Sequence, residues 1–130
     1  MAIRYFKCKN CGNLVSMVRD AGVPLMCCGQ KMEEILPGVT DAAVEKHVPE
    51  VKVQGNHVMV QVGSVKHPMA TEHYIEWVSL ETKEGEQRKA LHPDMEPEVI
   101  FTLSESDEPI AVYAYCNLHG LWKADVKKEN

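Results

Sequence analysis

Val51-Lys52-Val53-Gln54-Gly55-Asn56-His57-Val58-Met59-Val60-Gln61-Val62 alternates valine with polar or longer side chains on both sides of a Gly-Asn pair. A period of two puts the valines on one face of an extended chain, and a two-residue Gly-Asn loop joins antiparallel neighbours, so the segment predicts a β-hairpin with a valine-lined inner face.

The same period continues outward. Residues 74–82 are rich in aromatic and β-branched side chains and end at Lys83-Glu84-Gly85-Glu86; Val99, Phe101 and Leu103 alternate up to Ser106-Asp107-Glu108-Pro109. Ile110, Val112, Ala114 and Cys116 share one parity, which predicts that all four point inward, and Trp122, Ala124 and Val126 alternate with Lys123, Asp125 and Lys127. Residues 48–128 are therefore expected to form a meander of about seven short strands folded as an antiparallel β-sandwich. The one helical candidate spans 40–46, with Thr40 or Asp41 as its cap.

At 130 residues the chain has room for one main core and one small appendage. Its composition, 45% hydrophobic and 25% charged, is that of an ordinary globular protein, and no apolar run approaches the ~20 residues of a membrane helix. The opening Met1-Ala2-Ile3-Arg4-Tyr5-Phe6-Lys7 lacks the apolar stretch of about 7–15 residues found in a secretory signal, which predicts a cytoplasmic location. The formal charge is −5, yet residues 1–36 carry five basic against three acidic groups and residues 37–130 nine against sixteen. No basic stripe is present to grip a phosphate backbone, so nucleic acid is not an expected partner, and an anionic small molecule needs a local cation to draw it.

Five cysteines in a reducing compartment point to thiolate chemistry rather than disulfides. Four fall early, as Cys8-x-x-Cys11 and the adjacent pair Cys27-Cys28, while Cys116 stands apart. Residues 1–36 offer Ile3, Tyr5, Phe6, Leu14, Val15, Val18, Val23 and Leu25 as apolar material, too little to fold unaided. Leu36-Pro37-Gly38 reads as a linker, making 1–36 and 37–130 the expected domains. Gathered around one ion, the four early thiolates make a tetrahedral S₄ set suited to zinc or iron, and spacing does not choose between them. Neighbouring residues cannot orient their side chains freely, so Cys27 and Cys28 are expected to distort the tetrahedron. Free cysteines or a Cys27–Cys28 disulfide would leave the crowding unexplained.

Of six histidines, His47 precedes the hairpin, His67 and His73 bracket a loop, and His119 closes the knuckle Cys116-x-x-His119. Taken singly, a histidine is more often a surface or satisfied core residue, and His57 in the hairpin and His92 before Pro93 are assigned that role. A lone inward thiol such as Cys116 is ordinarily inert packing. Joined, however, His47, His67, His73, His119 and Cys116 make an N₄S set. Zinc favours four ligands, so five donors with a sixth position open point to an octahedral redox metal, iron first. The competing reading is a non-catalytic electron carrier or a zinc-stapled binding module, and a colourless protein holding only zinc would favour the latter.

Cys8-x-x-Cys11 with Cys27-Cys28, Glu45-Lys46-His47, His67 with His73, and Cys116-Asn117-Leu118-His119-Gly120 together resemble desulfoferrodoxin, the two-iron class of superoxide reductases, over essentially the whole chain. The resemblance implies a desulforedoxin-like N-terminal domain with a distorted Fe(Cys)₄ centre and an immunoglobulin-like β-sandwich with an Fe(His)₄(Cys) centre, hence two mononuclear irons per chain. It makes Cys8, Cys11, Cys27 and Cys28 ligands of the first iron. For the second it makes His47, His67, His73 and His119 equatorial ligands and Cys116 the axial one, opposite an open position. It makes Lys46 the cation that attracts and hydrogen-bonds superoxide, and Glu45 a carboxylate that can take the open position of the oxidised site. It further implies one-electron reduction of superoxide to hydrogen peroxide without oxygen release, a rubredoxin-type electron donor and a cytoplasmic homodimer. An axial thiolate suits that chemistry, because it donates electron density toward the opposite position as in haem proteins. Four neutral imidazoles and one thiolate leave a ferrous site with a charge of about +1, which favours an anion.

Overall fold

A computed structural model describes residues 3–127, which form two compact units that divide between Leu36 and Pro37. In the first, β1 (Tyr5–Lys7) lies between β2 (Leu14–Ser16) and β5 (Glu33–Ile35), antiparallel to both, while β3 (Met26–Cys27) pairs with β4 (Gln30–Lys31). Its core is small: Phe6, Cys8 and Met32 are buried, with Val15, Met17, Leu25 and Cys27 packed partly against them. Val18 and Val23, counted above among its apolar material, are instead 94% and 69% exposed. They lie in the irregular stretch between β2 and β3, where no ladder turns a side chain inward. Arg4 bridges Asp20 and Glu34, but such solvent-facing pairs contribute at most about 1 kcal/mol each.

The second unit opens with one helical turn, α1 (Val44–His47). Seven strands follow: β6 (Pro49–Gln54), β7 (His57–Val62), β8 (Ile75–Thr82), β9 (Gly85–Ala90), β10 (Glu98–Thr102), β11 (Pro109–Cys116) and β12 (Gly120–Asp125). The helix expected over 40–46 is shorter and later. Ala43 is its N-cap with no side-chain hydrogen bond, so Thr40 and Asp41 take no part in capping. Pro49 forces Val48 into the extended region, which ends the helix after a single turn. No helix among the described residues is long and apolar enough to cross a membrane.

The hairpin forms as its pattern requires, with Gln54 opposite His57 and Gly55 at φ +61°. A second tight hairpin sets Thr82 opposite Gly85. Its outer strand β9 has no apolar alternation to announce it, because it is an edge strand with nearly every residue facing solvent. The two sheets, β10-β7-β6 and β12-β11-β8-β9, pack face to face. Val58, Val60, Val62, Val99 and Phe101 meet Val78, Leu80, Val112, Ala114 and Cys116 in one buried cluster. At roughly 1.5–3 kcal/mol for each fully buried aliphatic side chain, this cluster is the main source of stability in the unit. Seven antiparallel strands in sheets of three and four make an immunoglobulin-like sandwich. Ile110, expected inward, is 43% exposed; it sits at a register shift between Pro109 and Ala111 where the alternation breaks.

Candidate metal centres

The knuckle Cys8–Cys11 lies between β1 and β2. The Gly12 N–H donates to Cys8 O at 3.0 Å and the Cys8 N–H to Asn13 O at 2.9 Å, folding the chain back with Gly12 at φ +82°. Cys27 ends β3, and Cys28 stands in the following turn at φ +53°, a left-handed conformation uncommon for a non-glycine residue. Adjacency of two converging thiols explains it. Successive extended residues point to opposite faces, so the second must leave the strand conformation to bring its sulfur round. The four Sγ atoms lie within 4.8 Å of one another, with Cys11 and Cys27 at 3.6 Å and Cys27 and Cys28 at 4.0 Å. Asn13 donates twice, from its backbone N–H to Cys11 Sγ at 3.4 Å and from its amide to Cys27 Sγ at 3.5 Å. The Cys8 thiol is drawn down to about 6, first by the Cys11 backbone N–H, whereas Cys27 is pushed up to about 12, first by its hydrogen bond with the Cys11 sulfur. Sulfurs this close cannot all ionise without a cation among them, and the S₄ set fits a tetrahedral iron or zinc.

The second cluster is assembled by strand register. Pro49, just after α1, pairs with Val62 at the end of β7; Ile75, just after His73, pairs with Cys116 at the end of β11; and Cys116 pairs with Gly120 across the knuckle. One end of the sandwich thus collects all five residues. The donor atoms of His47, His67, His73 and Cys116 lie within 4.8 Å of one another. His119 joins them with Nδ1 3.2 Å from His47 Nε2 and 3.9 Å from Cys116 Sγ. The four imidazoles stand at the corners of a near-square. Centroids are 4.6 Å apart for His47–His67 and His67–His73, 5.0 Å for His73–His119 and His119–His47, and 6.4 Å across the His47–His73 diagonal. Neighbouring rings meet at 77° to 86°.

Tautomers make the cluster a cation site. Nδ1 of His47 donates to Ala43 O and Nδ1 of His67 to Pro68 O, each at 2.7 Å, so in the neutral rings both Nε2 atoms carry lone pairs. Those lone pairs face each other at 3.2 Å, which is repulsive unless a positive charge lies between them. The buried His73 Nε2 has no hydrogen-bond partner. Burial holds His47 and His73 below the ordinary imidazole range and His67 down at about 4, keeping all three neutral at neutral pH. Burial pushes the Cys116 thiol up, opposed by the N–H groups of His119 and Leu118. Four imidazole nitrogens and one sulfur fit an iron, which would take the place of the thiol proton.

Neighbours not singled out in the sequence hold the cluster in place. Trp122 lies 4.8 Å from the His47 ring at 31°, and its indole N–H donates to His119 O at 3.1 Å. Lys66, beside His67, is engaged by Glu96 and Glu98 at 2.9 and 3.4 Å. Lys46, exposed on α1 like Glu45, adds to the depression of His73 after burial and His119. His57, bonded to Thr102 Oγ1 at 3.3 Å, and His92 are exposed and stand outside the cluster.

The turn carrying Glu45, Lys46 and His47 rests on residues 63–65. Glu45 O accepts from the Val65 N–H at 2.9 Å and from Ser64 Oγ at 3.2 Å, and a Cβ on Gly63 would lie 2.7 Å from Glu45 O and 2.8 Å from Val48 O. Gly63→Ala is expected to push that turn away and destabilise the second unit by about 1–3 kcal/mol. The check is its thermal midpoint, which should fall by several degrees; a parent-like midpoint would mean that the backbone absorbs the methyl freely.

A family model described as desulfoferrodoxin matches residues 39–125, and one described as the desulfoferrodoxin N-terminal domain matches residues 2–35. A desulfoferrodoxin of Clostridium acetobutylicum is 46% identical over 118 residues, covering 91% of this chain and 92% of that one. The solved superoxide reductase of Treponema pallidum aligns with a TM-score of 0.81 at 42% identity, covering 96% of this chain and 100% of its own. A one-iron superoxide reductase of Giardia intestinalis aligns with a TM-score of 0.55 at 35% identity, covering 65% of this chain and 99% of its own. With both sulfur and imidazole clusters in place and family matches on each side of the Leu36–Pro37 division, this chain belongs to the desulfoferrodoxin family.

Proposed function

We propose that this chain is a superoxide reductase, an oxidoreductase that converts superoxide to hydrogen peroxide with one electron and two protons and without releasing oxygen. The observation that carries the reading is the near-square of four imidazoles gathered with a buried thiol, with one buried nitrogen left unpartnered. In this reading residues 1–36 hold the first iron on Cys8, Cys11, Cys27 and Cys28. Residues 37–130 hold the second on His47, His67, His73, His119 and Cys116. An iron bound there would supply the single electron.

The chain's own groups do the rest. Nδ1 bonds to Ala43 and Pro68 lock His47 and His67 with their lone pairs inward. Cys116, receiving the His119 N–H at 3.4 Å, would supply the anionic sulfur donor that pushes electron density onto a bound iron. Lys46 draws the anion against the repulsion of a −5 chain and hydrogen-bonds it. Glu45, exposed on α1 two residues before His47, would supply a carboxylate able to bind an oxidised iron. A rubredoxin-type donor, a homodimer, a cytoplasmic location and a role in detoxification complete the reading by resemblance to the family. Superoxide pulsed into reduced protein tests it. Hydrogen peroxide without oxygen is expected, and equal yields of peroxide and oxygen would mark dismutation and sink the proposal.

Lys46→Ala is expected to slow the second-order reaction with superoxide by about tenfold, the lower end of electrostatic steering. Added salt screens both the local attraction and the global repulsion, with a Debye length of about 10 Å at 0.1 M. Local attraction dominates near the site, so the parent rate should fall with salt and the mutant rate fall less or rise. Glu45→Ala should keep the encounter rate and delay the return to the resting spectrum. Pulse radiolysis on both variants decides, and a normal encounter in Lys46→Ala beside a collapsed one in Glu45→Ala would reverse the two roles.

A further inference from the structure

His73 is the weakly held member of the imidazole square. His47 and His67 each lock their ring through Nδ1 on a main-chain carbonyl, but among the described residues no hydrogen bond holds the His73 ring. Its direction therefore depends on its backbone. On one side that backbone is tied to Ala70, through N–H···O bonds of 3.0 and 3.1 Å in the two directions.

The other tie comes from a residue that the ligand pattern passes over. Asn117 Oδ1 accepts the Tyr74 N–H at 2.9 Å, Asn117 Nδ2 donates to Glu72 O at 3.1 Å, and the Asn117 backbone N–H donates to Tyr74 O at 3.2 Å. One amide thus grips the residues on both sides of His73, from a position between Cys116 and His119. It does so where the β8–β11 ladder gives out. The register shifts between Tyr115 and Cys116, so the ladder skips Glu76 and ends at the Cys116–Ile75 pair. Beyond that point the Asn117 side chain continues the pairing in place of main chain. The geometry uses an acceptor and a donor on two separate atoms of one short side chain, which the asparagine amide supplies.

We propose that Asn117 is a positioning residue that sets the His73 imidazole against the Cys116–His119 knuckle, and so governs how tightly and in what geometry the five-donor site holds its metal. The proposal rests on reading that cluster as a metal centre and is independent of the substrate. The test uses the full chain with iron(II) as the probe, competed by a chelator, together with the visible thiolate-to-iron absorption of the oxidised protein. Asn117→Ala should weaken iron at the second site by about 10- to 100-fold, the usual loss when an outer partner of a metal ligand is removed. It should also shift the absorption, while the four-cysteine site keeps its parent affinity. Asn117→Asp keeps an acceptor for the Tyr74 N–H and carries the test if the alanine variant does not fold; it too should weaken the second site, having lost the donor to Glu72 O. Parent-like iron affinity and absorption in the variant that folds, even with a lowered melting point of the metal-free chain, would overturn the proposal and leave Asn117 a loop staple. A parent chain with no iron at the second site would instead overturn the metal-centre reading itself.

Discussion

Cys116→Ser is expected to abolish the thiolate-to-iron absorption and to slow the reaction with superoxide by more than the roughly 10- to 100-fold lost when an outer partner of a ligand is removed. Cys116 is fully buried among Val112, Ala114 and their neighbours, and it is the one sulfur among the five donors. A serine oxygen is harder and holds its proton far more tightly, so the site would lose its only anionic donor. The fold should survive, because the replacement is nearly isosteric and a buried hydroxyl costs about 1–3 kcal/mol. Stopped-flow spectroscopy with superoxide checks both effects at once. An unchanged visible band would demand a different sulfur ligand, and the other four cysteines are gathered in the first unit.

Cys27→Ser should have an effect as large but confined to the other unit. Structural metal in small domains contributes folding energy directly, about 10–16 kcal/mol for four-ligand zinc sites. Here the metal-free core amounts to Phe6, Cys8 and Met32 with a few half-buried neighbours. Surface pairs such as Arg4 with Asp20 and Glu34 cannot make up that deficit. The variant should lose its first metal, and residues 1–36 should become open to limited proteolysis. The second cluster draws its donors from residues 47–119, so its fast reaction with superoxide should remain. A variant that keeps the second iron yet loses that reaction would contradict the division.

Much of the scaffold was legible because its cause is local. Alternating valines around Gly55-Asn56 put one face of a hairpin into a core, and the structure pairs Gln54 with His57 as that turn requires. The parity of Val112, Ala114 and Cys116 likewise carried the sulfur inward. The failures have physical reasons too. β9 faces solvent and has no pattern, α1 starts at Val44 without the cap expected from Thr40 or Asp41, Ile110 falls on a register shift, and Val18 and Val23 lie outside any ladder.

By itself the sequence determined which donor types were at hand, since residue type decides which atoms can bind soft or borderline metals, and it determined the strands whose alternation meets the core. Tertiary structure alone decided that His47, His67, His73, Cys116 and His119 meet. Their convergence depends on which strand pairs with which and in what register, and no helical or strand period links the positions. The same holds for the supports of the site. Gly63 matters through the backbone of Glu45 and Val48, Trp122 through a ring and a carbonyl, and Asn117 through two main-chain groups flanking His73. Each acts across a gap in sequence that only folding closes.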